Sequence, residues 1–147
     1  MSHVTTVKAE IHDIKALAAA CAELGLTFKE NQQTYKWWGT SVGNYPLPEG
    51  FTVEDLGKCQ HAIGVPGTEW EIGVAQPRNG KGYRLLFDFY GNRGEPILNA
   101  IGGQQASKLV QLYAVHKATL EAEKRGLLVQ RKTVPGTQKI QLVCTGM

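Results

Sequence analysis

The sequence predicts an α+β fold: a single domain over residues 1–147, with a mainly antiparallel sheet and two amphipathic helices packed on one face of that sheet. Three observations support this prediction. A strong hairpin signal lies near the middle of the chain, several short strand patterns surround it, and one helical pattern stands on each side of these strands. Consecutive strands flanked by helices are typical of α+β domains. The length is also sufficient to bury a sizeable core without disulfides or metal.

The first quarter of the chain predicts a strand, a helix and two further strands. Apolar residues alternate over residues 4–11, which is typical of a strand. Asp13 then occupies an N-cap position, and apolar residues follow at helical spacing until Gly25, which favours the end of a helix. Residues 26–30 and 34–38 predict the second and third strands.

The central hairpin is predicted almost residue by residue. The Asn-Gly pair at residues 79–80 is a strong signal for a two-residue turn, because both central positions of a type I′ turn require a positive φ. A turn that pairs Arg78 with Lys81 places Glu71 opposite Asp88 on one face, and these like charges require a compensating partner. The same register gathers six apolar side chains on the other face: Trp70, Ile72, Val74, Leu85, Phe87 and Phe89.

Two irregular segments are predicted beside these strands. Residues 39–50 and 91–103 are rich in glycine, proline and asparagine, which favour turns and loops. Long irregular segments in a compact domain are usually functional or mobile. One helical turn is predicted over residues 51–58, and a strand that leads into the central hairpin is predicted over residues 59–65.

The last third of the chain predicts a long helix and a second hairpin. Apolar residues at helical spacing extend over residues 104–125, and a basic pair at the end of this range complements the negative end of a helix. Residues 127–145 predict a hairpin that turns at residues 135–136. That turn places Val129 opposite Leu142.

Composition and charge disfavour several classes of protein, although the net charge permits anionic partners. The formal net charge of +3 is smaller than dedicated nucleic-acid-binding domains usually carry. Three scattered cysteines without a Cys-X-X-Cys spacing predict reduced thiols in the cytoplasm, and they predict neither a metal nor a cofactor. The chain shows no leader-like N-terminus and no apolar segment of about 18 residues, so neither export nor a membrane span is expected.

Three parts of the chain resemble a known family. They are residues 1–7 with the predicted helix at 13–25, the hairpin core Trp70-Glu71-Ile72-Gly73 with Phe87-Asp88-Phe89-Tyr90-Gly91, and the closing segments Leu112-Tyr113-Ala114-Val115, Lys124-Arg125-Gly126 and Lys139-Ile140-Gln141-Leu142. Together they are similar to the "hypothetical chloroplast reading frame thirty-five" family of plastids and cyanobacteria, which is also met in bacteria and their phages. Residues 36–58 do not follow the family.

The resemblance implies a small cytosolic or stromal protein with an accessory role. For a phage-encoded member it implies a role in host takeover or counter-defence. It implies no catalytic residues, so none is assigned to this chain.

The predicted binding surface combines aromatic and basic residues. Trp37 and Trp38 follow Lys36 on a predicted strand, where successive side chains point to opposite faces. One indole is therefore expected to face away from the core, where it could stack on a partner. The full predicted surface is Lys36, Trp37, Trp38, Tyr45, Arg78, Lys81, Arg84 and Arg93.

These residues favour a non-catalytic binding or accessory module that acts on a protein partner, and they favour it over an enzyme. Two alternatives stay open. One is a metal-assisted enzyme on a nucleotide-like or anionic substrate, which would use Glu71, Asp88 and His61. The other is a nucleic-acid-binding protein that uses the basic residues. Two chains could also pair as a homodimer through an edge strand at residues 127–134 or 34–38.

Overall fold

The structure of the chain is a computed structural model, and it describes residues 4–7, 10–37, 50–78 and 80–146. Within these residues the chain forms a five-stranded antiparallel sheet, a separate two-stranded sheet and three α-helices, so the predicted α+β class is confirmed. No helix in these ranges is long and apolar enough to cross a membrane. The elements in chain order are β1 (Val4–Thr6), α1 (Ile14–Glu23), β2 (Thr27–Lys29), a 3₁₀ turn (Val53–Asp55), β3 (His61–Gly64), β4 (Glu71–Ala75), β5 (Arg84–Asp88), α2 (Gly91–Ile101), α3 (Ser107–Lys124), β6 (Leu127–Thr133) and β7 (Ile140–Gly146).

The five-stranded sheet has the strand order β1-β5-β4-β3-β2, and every neighbouring pair is antiparallel. The predicted register of the central hairpin is confirmed, since Val74 pairs with Leu85 and Ala75 pairs with Arg84. The predicted two-residue turn that pairs Arg78 with Lys81 is wrong, because among the described residues the ladder ends at the Ala75–Arg84 pair. The Arg78 N–H donates instead to the Gly50 carbonyl (3.1 Å), so a longer connection joins β4 to β5. Asn79 itself lies outside the described residues. This register decides which side chains share each face of the sheet.

One face of the sheet, here called the helix face, carries the main hydrophobic core. All three helices contribute to this core, through Leu17 of α1, Ile97 of α2 and Leu109 of α3. The predicted packing of two helices on one face is therefore confirmed, and a third helix joins them. The core also contains the predicted hairpin residues Trp70, Ile72, Val74, Leu85 and Phe87, and Phe89 packs against them.

The third helix, α2, occupies a segment that the sequence predicts to be irregular, so that prediction is wrong. The glycines and Pro96 disfavour a helix by local propensity. Gly94, Ile97 and Ile101 nevertheless recur at helical spacing, and all three are buried. Burial of this short stripe against the core outweighs the local propensity.

The opposite face, here called the loop face, is covered by segments without regular structure. Its buried cluster consists of Tyr35, Phe51, Cys59, Ala62, Ala75 and Leu86. The ring of Tyr35 lies directly over Gly73 of β4, where a Cβ atom would overlap the ring. The Tyr35 hydroxyl is buried without a hydrogen bond to the residues that the structure describes, and burial raises its pKa well above the ordinary value. Gly73 therefore makes room for an aromatic side chain that closes this face.

Residues 34–37, the described part of the strand predicted over residues 34–38, do not form a strand. The first residue of that range makes one isolated bridge, and no ladder follows it within the described part. The backbone of this segment forms hydrogen bonds with a turn residue and with a strand residue: the Tyr35 N–H donates to the carbonyl of Gly57 (3.0 Å), and the Lys36 carbonyl accepts from the N–H of Glu71 in β4 (2.8 Å). The segment therefore crosses the loop face and does not extend the sheet as a strand.

The terminal hairpin of β6 and β7 forms a sheet of its own. Its predicted register is wrong by two residues, because Val129 pairs with Cys144 and not with Leu142. The N–H of Val134 donates to the carbonyl of Lys139 (3.1 Å), so four residues and not two form the loop. A shift of two residues leaves each side chain on its predicted face.

Charged contacts tie this hairpin to the helices. The Glu23 carboxylate at the end of α1 accepts a hydrogen bond from Arg131 of β6 (2.9 Å) and lies 2.9 Å from the Nε2 atom of His116 in α3. Desolvation opposes ionisation of Glu23, but the hydrogen bonds with His116 and Arg131 outweigh it and lower the pKa of this carboxyl. A charged carboxylate thus ties β6 of the hairpin to α1 and α3.

Candidate functional site

A surface cavity of about 510 Å³ opens on the loop face, beside the ends of β2, β3 and β4. Gly64 leaves space there, because it stands between Thr27 of β2 and Glu71 of β4 without a side chain. This cavity is called the Lys36 cavity below. It is lined by Thr27, Lys29, Lys36, Gly64, Val65, Pro66, Thr68, Glu69, Trp70 and Glu71.

Glu71 forms part of one wall of the Lys36 cavity, and the residue is only 7% exposed. Its Oε2 atom lies 2.6 Å from the Nζ atom of Lys29, and its Oε1 atom accepts a hydrogen bond from the Lys36 N–H (3.0 Å). The Glu71 N–H in turn donates to the Lys36 carbonyl. One buried carboxylate therefore pairs with Lys29 and fixes the backbone of Lys36 against β4. Lys29 is the compensating partner that the charge of Glu71 requires.

Lys36 and Trp37 stand in different surroundings. The Lys36 side chain is exposed and makes no ion pair or hydrogen bond within the described part of the chain. The Trp37 indole is half-buried against the cluster of the loop face, close to Gly57, where a Cβ atom would lie 2.6 Å from the indole Nε1. Trp38 and Tyr45 lie outside the described residues, so the prediction that one of two adjacent indoles faces a partner stays a prediction.

The predicted basic residues do not gather around the Lys36 cavity. Arg78 is bound to Asp55, with 2.8 Å between its Nε atom and Oδ2. Arg84 is bound to Glu10, with 3.1 Å between its Nη2 atom and Oε1. Lys81 lies on the exposed tip of the central hairpin, and Arg93 lies on α2 with its carbonyl accepting from the Thr68 hydroxyl (2.6 Å). Of the six predicted binding residues that the structure describes, Lys36 is the one that lines the cavity.

The three residues of the metal hypothesis are not brought together. His61 pairs with Val74 and lies on the helix face, whereas Glu71 and Asp88 belong to the loop face. The Nδ1 atom of His61 accepts a hydrogen bond from the Asn31 N–H (3.1 Å). Across the described ranges, no three His, Cys, Asp or Glu side chains are grouped so that they could hold a metal ion. The contacts of His61 are those of a structural residue.

The buried cysteines are poor nucleophiles. Burial raises the pKa of Cys59 to about 11, and the charge of Glu71 adds to this effect. Burial also raises the pKa of Cys21 to about 12. Because the thiolate is the reactive form, both thiols stay protonated and unreactive at neutral pH. Cys59 borders a second cavity of about 350 Å³ without gaining reactivity from it.

The ion pair of Asp55 and Arg78 predicts a pH dependence of stability. Hydrogen bonds from the Arg78 side chain and the Thr52 N–H lower the pKa of Asp55 from 3.8 to about 2. A carboxyl with a lower pKa in the folded state stabilises the fold above its unfolded pKa, and this contribution is lost as the pH falls toward the folded pKa. We expect the melting temperature of the wild-type protein to fall more steeply between about pH 4 and pH 2 than that of Asp55→Asn, as followed by circular dichroism. Parallel melting curves for the two proteins would contradict this expectation.

Sequence reasoning found Lys36 and missed its neighbours in the cavity. Lys29, Thr68 and Glu69 stand in a predicted strand or turn without any motif that distinguishes them. The available signal is an isolated glycine inside a strand pattern, which often marks a close approach by another group. Gly64 is such a glycine beside the cavity. Gly73 is another, and the Tyr35 ring approaches it closely.

Comparisons with known proteins provide no relative from which a function of this site could be inferred. No protein-family model, no curated protein and no solved structure matches this chain. The resemblance to the plastid and cyanobacterial family therefore stays a prediction.

Proposed function

We propose that the protein is a non-catalytic binding module that engages a protein partner through the Lys36 cavity. The observation that supports this proposal is the fixed position of Lys36 beside the Lys29–Glu71 ion pair. Its backbone makes two hydrogen bonds to Glu71, while its side chain is exposed. A cavity wall that is fixed before binding loses little conformational entropy when a partner binds.

The mixed charge of the cavity favours a protein partner over a nucleic acid. Lys29 and Lys36 stand beside Glu69 and Glu71 in the lining. Nucleic acids are held by neutralisation of phosphates, which requires a surface of mainly positive charge. Protein surfaces carry charges of both signs together with backbone donors and acceptors, so they can complement such a lining. The hydroxyls of the cavity add neutral hydrogen-bonding groups.

Trp37 lies next to Lys36 in the chain and adds an apolar surface to the proposed interface. Tryptophan is enriched among the residues that contribute most to protein–protein binding. The predicted contributions of Trp38 and Tyr45 belong to the same proposal. A cytoplasmic accessory role, with host takeover or counter-defence for a phage-encoded member, is the biological setting that we propose for it.

Charge reversal in the cavity tests the proposal. Tagged wild-type protein, Lys36→Glu and Glu69→Lys are each used to capture partners from an extract of the source cells. We expect at least one protein to be recovered by the wild type and to fall about tenfold or more with both variants, since like charges across an interface cost several kcal/mol. Mass spectrometry of the captured fraction gives the measurement.

The matched control is Lys15→Glu. Lys15 is exposed on α1, on the helix side of the sheet, so this change alters the net charge equally without touching the cavity. It should capture the partner as the wild type does, and nuclease treatment of the extract should not reduce recovery. Equal capture by Lys36→Glu and Glu69→Lys, or loss of all partners after nuclease treatment, would overturn the proposal.

A further inference from the structure

The positive charge of the protein is concentrated in its last 24 residues. Residues 124–147 contain five basic side chains and no acidic one, while the whole chain has a formal net charge of only +3. The segment includes the terminal hairpin and the residues that join it to α3. Arg131 is bound to Glu23, so Lys132 and Lys139 are the basic residues of the hairpin that remain without an ion pair among the described residues.

The hairpin also presents a strand edge that pairs with no other strand of the described residues. The hydrogen bond from Val134 to Lys139 identifies a bonded pair, and bonded pairs alternate with non-bonded pairs along an antiparallel ladder. The N–H and C=O groups of Ile140, Leu142 and Cys144 in β7 therefore point away from β6. None of these three N–H groups donates a hydrogen bond to another residue in the part of the chain that the structure describes. Among the described residues, the outer edge of β7 is thus left without a neighbouring strand.

The two strands of the hairpin differ in how their edges are protected. Charged side chains on an edge strand discourage pairing with other chains. β6 carries Arg131 and Lys132, whereas β7 has no charged residue and no proline over its seven positions. On the outer face of the hairpin, Leu128 is 60% exposed, and it lies diagonal to Val143 of β7. β7 therefore offers an unprotected edge next to an exposed apolar surface.

We propose that the outer edge of β7 binds an extended acidic segment of a protein partner, which adds to the hairpin as a third strand. Pairing of an extended peptide with a free sheet edge is a recurrent mode of recognition. The added strand would lie about 10 Å from β6, two inter-strand spacings away and within about one Debye length of Lys132 at 0.1 M salt. Lys139 immediately precedes β7 and lies closer still. Acidic side chains on the added strand are therefore attracted by both lysines.

The same charges disfavour a second copy of this chain as the occupant. Pairing of two β7 edges would bring together two hairpins that are basic and contain no acidic residue. Like charges at such an interface oppose association. This inference does not rest on the Lys36 cavity, because β7 and that cavity share no residue.

A peptide titration tests the inference. The probe is a fluorescein-labelled nonapeptide of alternating Glu and Val, and the matched probe carries Lys in place of Glu. We expect fluorescence anisotropy to show saturable binding of the acidic peptide. The affinity for the basic peptide should be lower by about tenfold or more. We also expect the acidic peptide to slow hydrogen exchange at the amides of Leu142 and Cys144.

Two variants locate the binding edge. Cys144→Pro removes an outward N–H while it leaves the hydrogen bonds within the hairpin intact, since proline is tolerated on edge strands where the N–H faces outward. It should weaken acidic-peptide binding by about tenfold or more, whereas Cys144→Ala should bind as the wild type. Lys132→Glu with Lys139→Glu should also lose binding, and this change does not depend on tolerance of proline.

Three results would overturn the inference. They are equal affinity for the acidic and basic peptides, unchanged binding by the double Lys→Glu variant, and a dimer in gel filtration that Cys144→Pro converts to monomer. Lys36→Glu should bind the peptide normally, so failure here is distinguishable from failure of the proposed function.

Discussion

Gly73→Ala is expected to lower the free energy of unfolding by about 3 kcal/mol, near the upper end of what overpacking in a core usually costs. A Cβ atom at Gly73 would overlap the ring of Tyr35, and Gly73 lies on β4, in the middle of the five-stranded sheet. The ring cannot move away without exposing the cluster beneath it, which includes Leu86 and Ala75. Urea denaturation followed by tryptophan fluorescence measures the change.

Gly64→Ala is the matched control for that variant. Gly64 lies on the same face of the neighbouring strand, and a Cβ atom there would make ordinary contacts of 3.6 Å with Lys29 and Thr27. We expect a change of less than about 0.5 kcal/mol. In a Tyr35→Ala background, Gly73→Ala should also become nearly neutral. A similar loss with and without the Tyr35 ring would show that the two residues are not coupled and would contradict the interpretation.

Lys29→Met is expected to destabilise the protein by about 2 kcal/mol, because it leaves a buried carboxylate with one fewer charged partner. The Glu71 side chain is 9% exposed and the Lys29 side chain is 43% exposed, so the two partners are not equivalent. Removal of the lysine leaves a charge in the interior. Removal of the glutamate charge leaves a lysine that water can solvate. Methionine preserves most of the apolar stem of the lysine, so packing changes little.

The expected asymmetry makes this prediction specific. Glu71→Gln should cost less than Lys29→Met, and Lys29→Met combined with Glu71→Gln should cost less than Lys29→Met alone. Thermal unfolding of the three variants at neutral pH gives the comparison. If Glu71→Gln were the most destabilised of the three, the buried charge would not explain the stability of this wall of the cavity.

Much of the sheet could be predicted from the sequence, because local patterns there agree with tertiary packing. The alternation of the central hairpin predicts both its register and its apolar face, since a slip of one residue would expose the whole set. The capped helix α1 was predictable for a similar reason: Asp13 caps its first turn by accepting from the Ala16 N–H (3.0 Å). In these elements, burial and propensity favour the same conformation.

The incorrect predictions fall where local and tertiary preferences disagree. Residues 91–101 have a poor helical composition, yet burial of Ile97 and Ile101 stabilises α2. Residues 34–37 alternate like a strand, but their hydrogen bonds lead to Gly57 in a turn and to Glu71 in β4. Composition and periodicity carry no information about such distant partners.

The candidate site was only partly predictable for the same reason. Lys36 was identified because it stands beside two aromatic residues in the sequence. Lys29 and Glu71 are 42 positions apart, and no spacing rule connects them. Arg78 and Arg84 looked like members of a free basic patch until the fold supplied Asp55 and Glu10 as partners. The number of basic residues in a segment is therefore a weaker indication of a binding surface than the number of those residues that form no ion pair in the fold.

By itself the sequence determined the α+β class, the antiparallel central hairpin, the apolar face of the sheet and the excess of positive charge in the last 24 residues. Each of these depends on the period of a local pattern or on composition, which neighbours along the chain decide. Only the tertiary structure decided which charges are neutralised, that Glu71 is buried beside Lys29, that Tyr35 closes the loop face over Gly73, and that the outer edge of β7 pairs with no other strand of the described residues. Those features depend on contacts between residues far apart in the chain, and such contacts exist only once the core has folded.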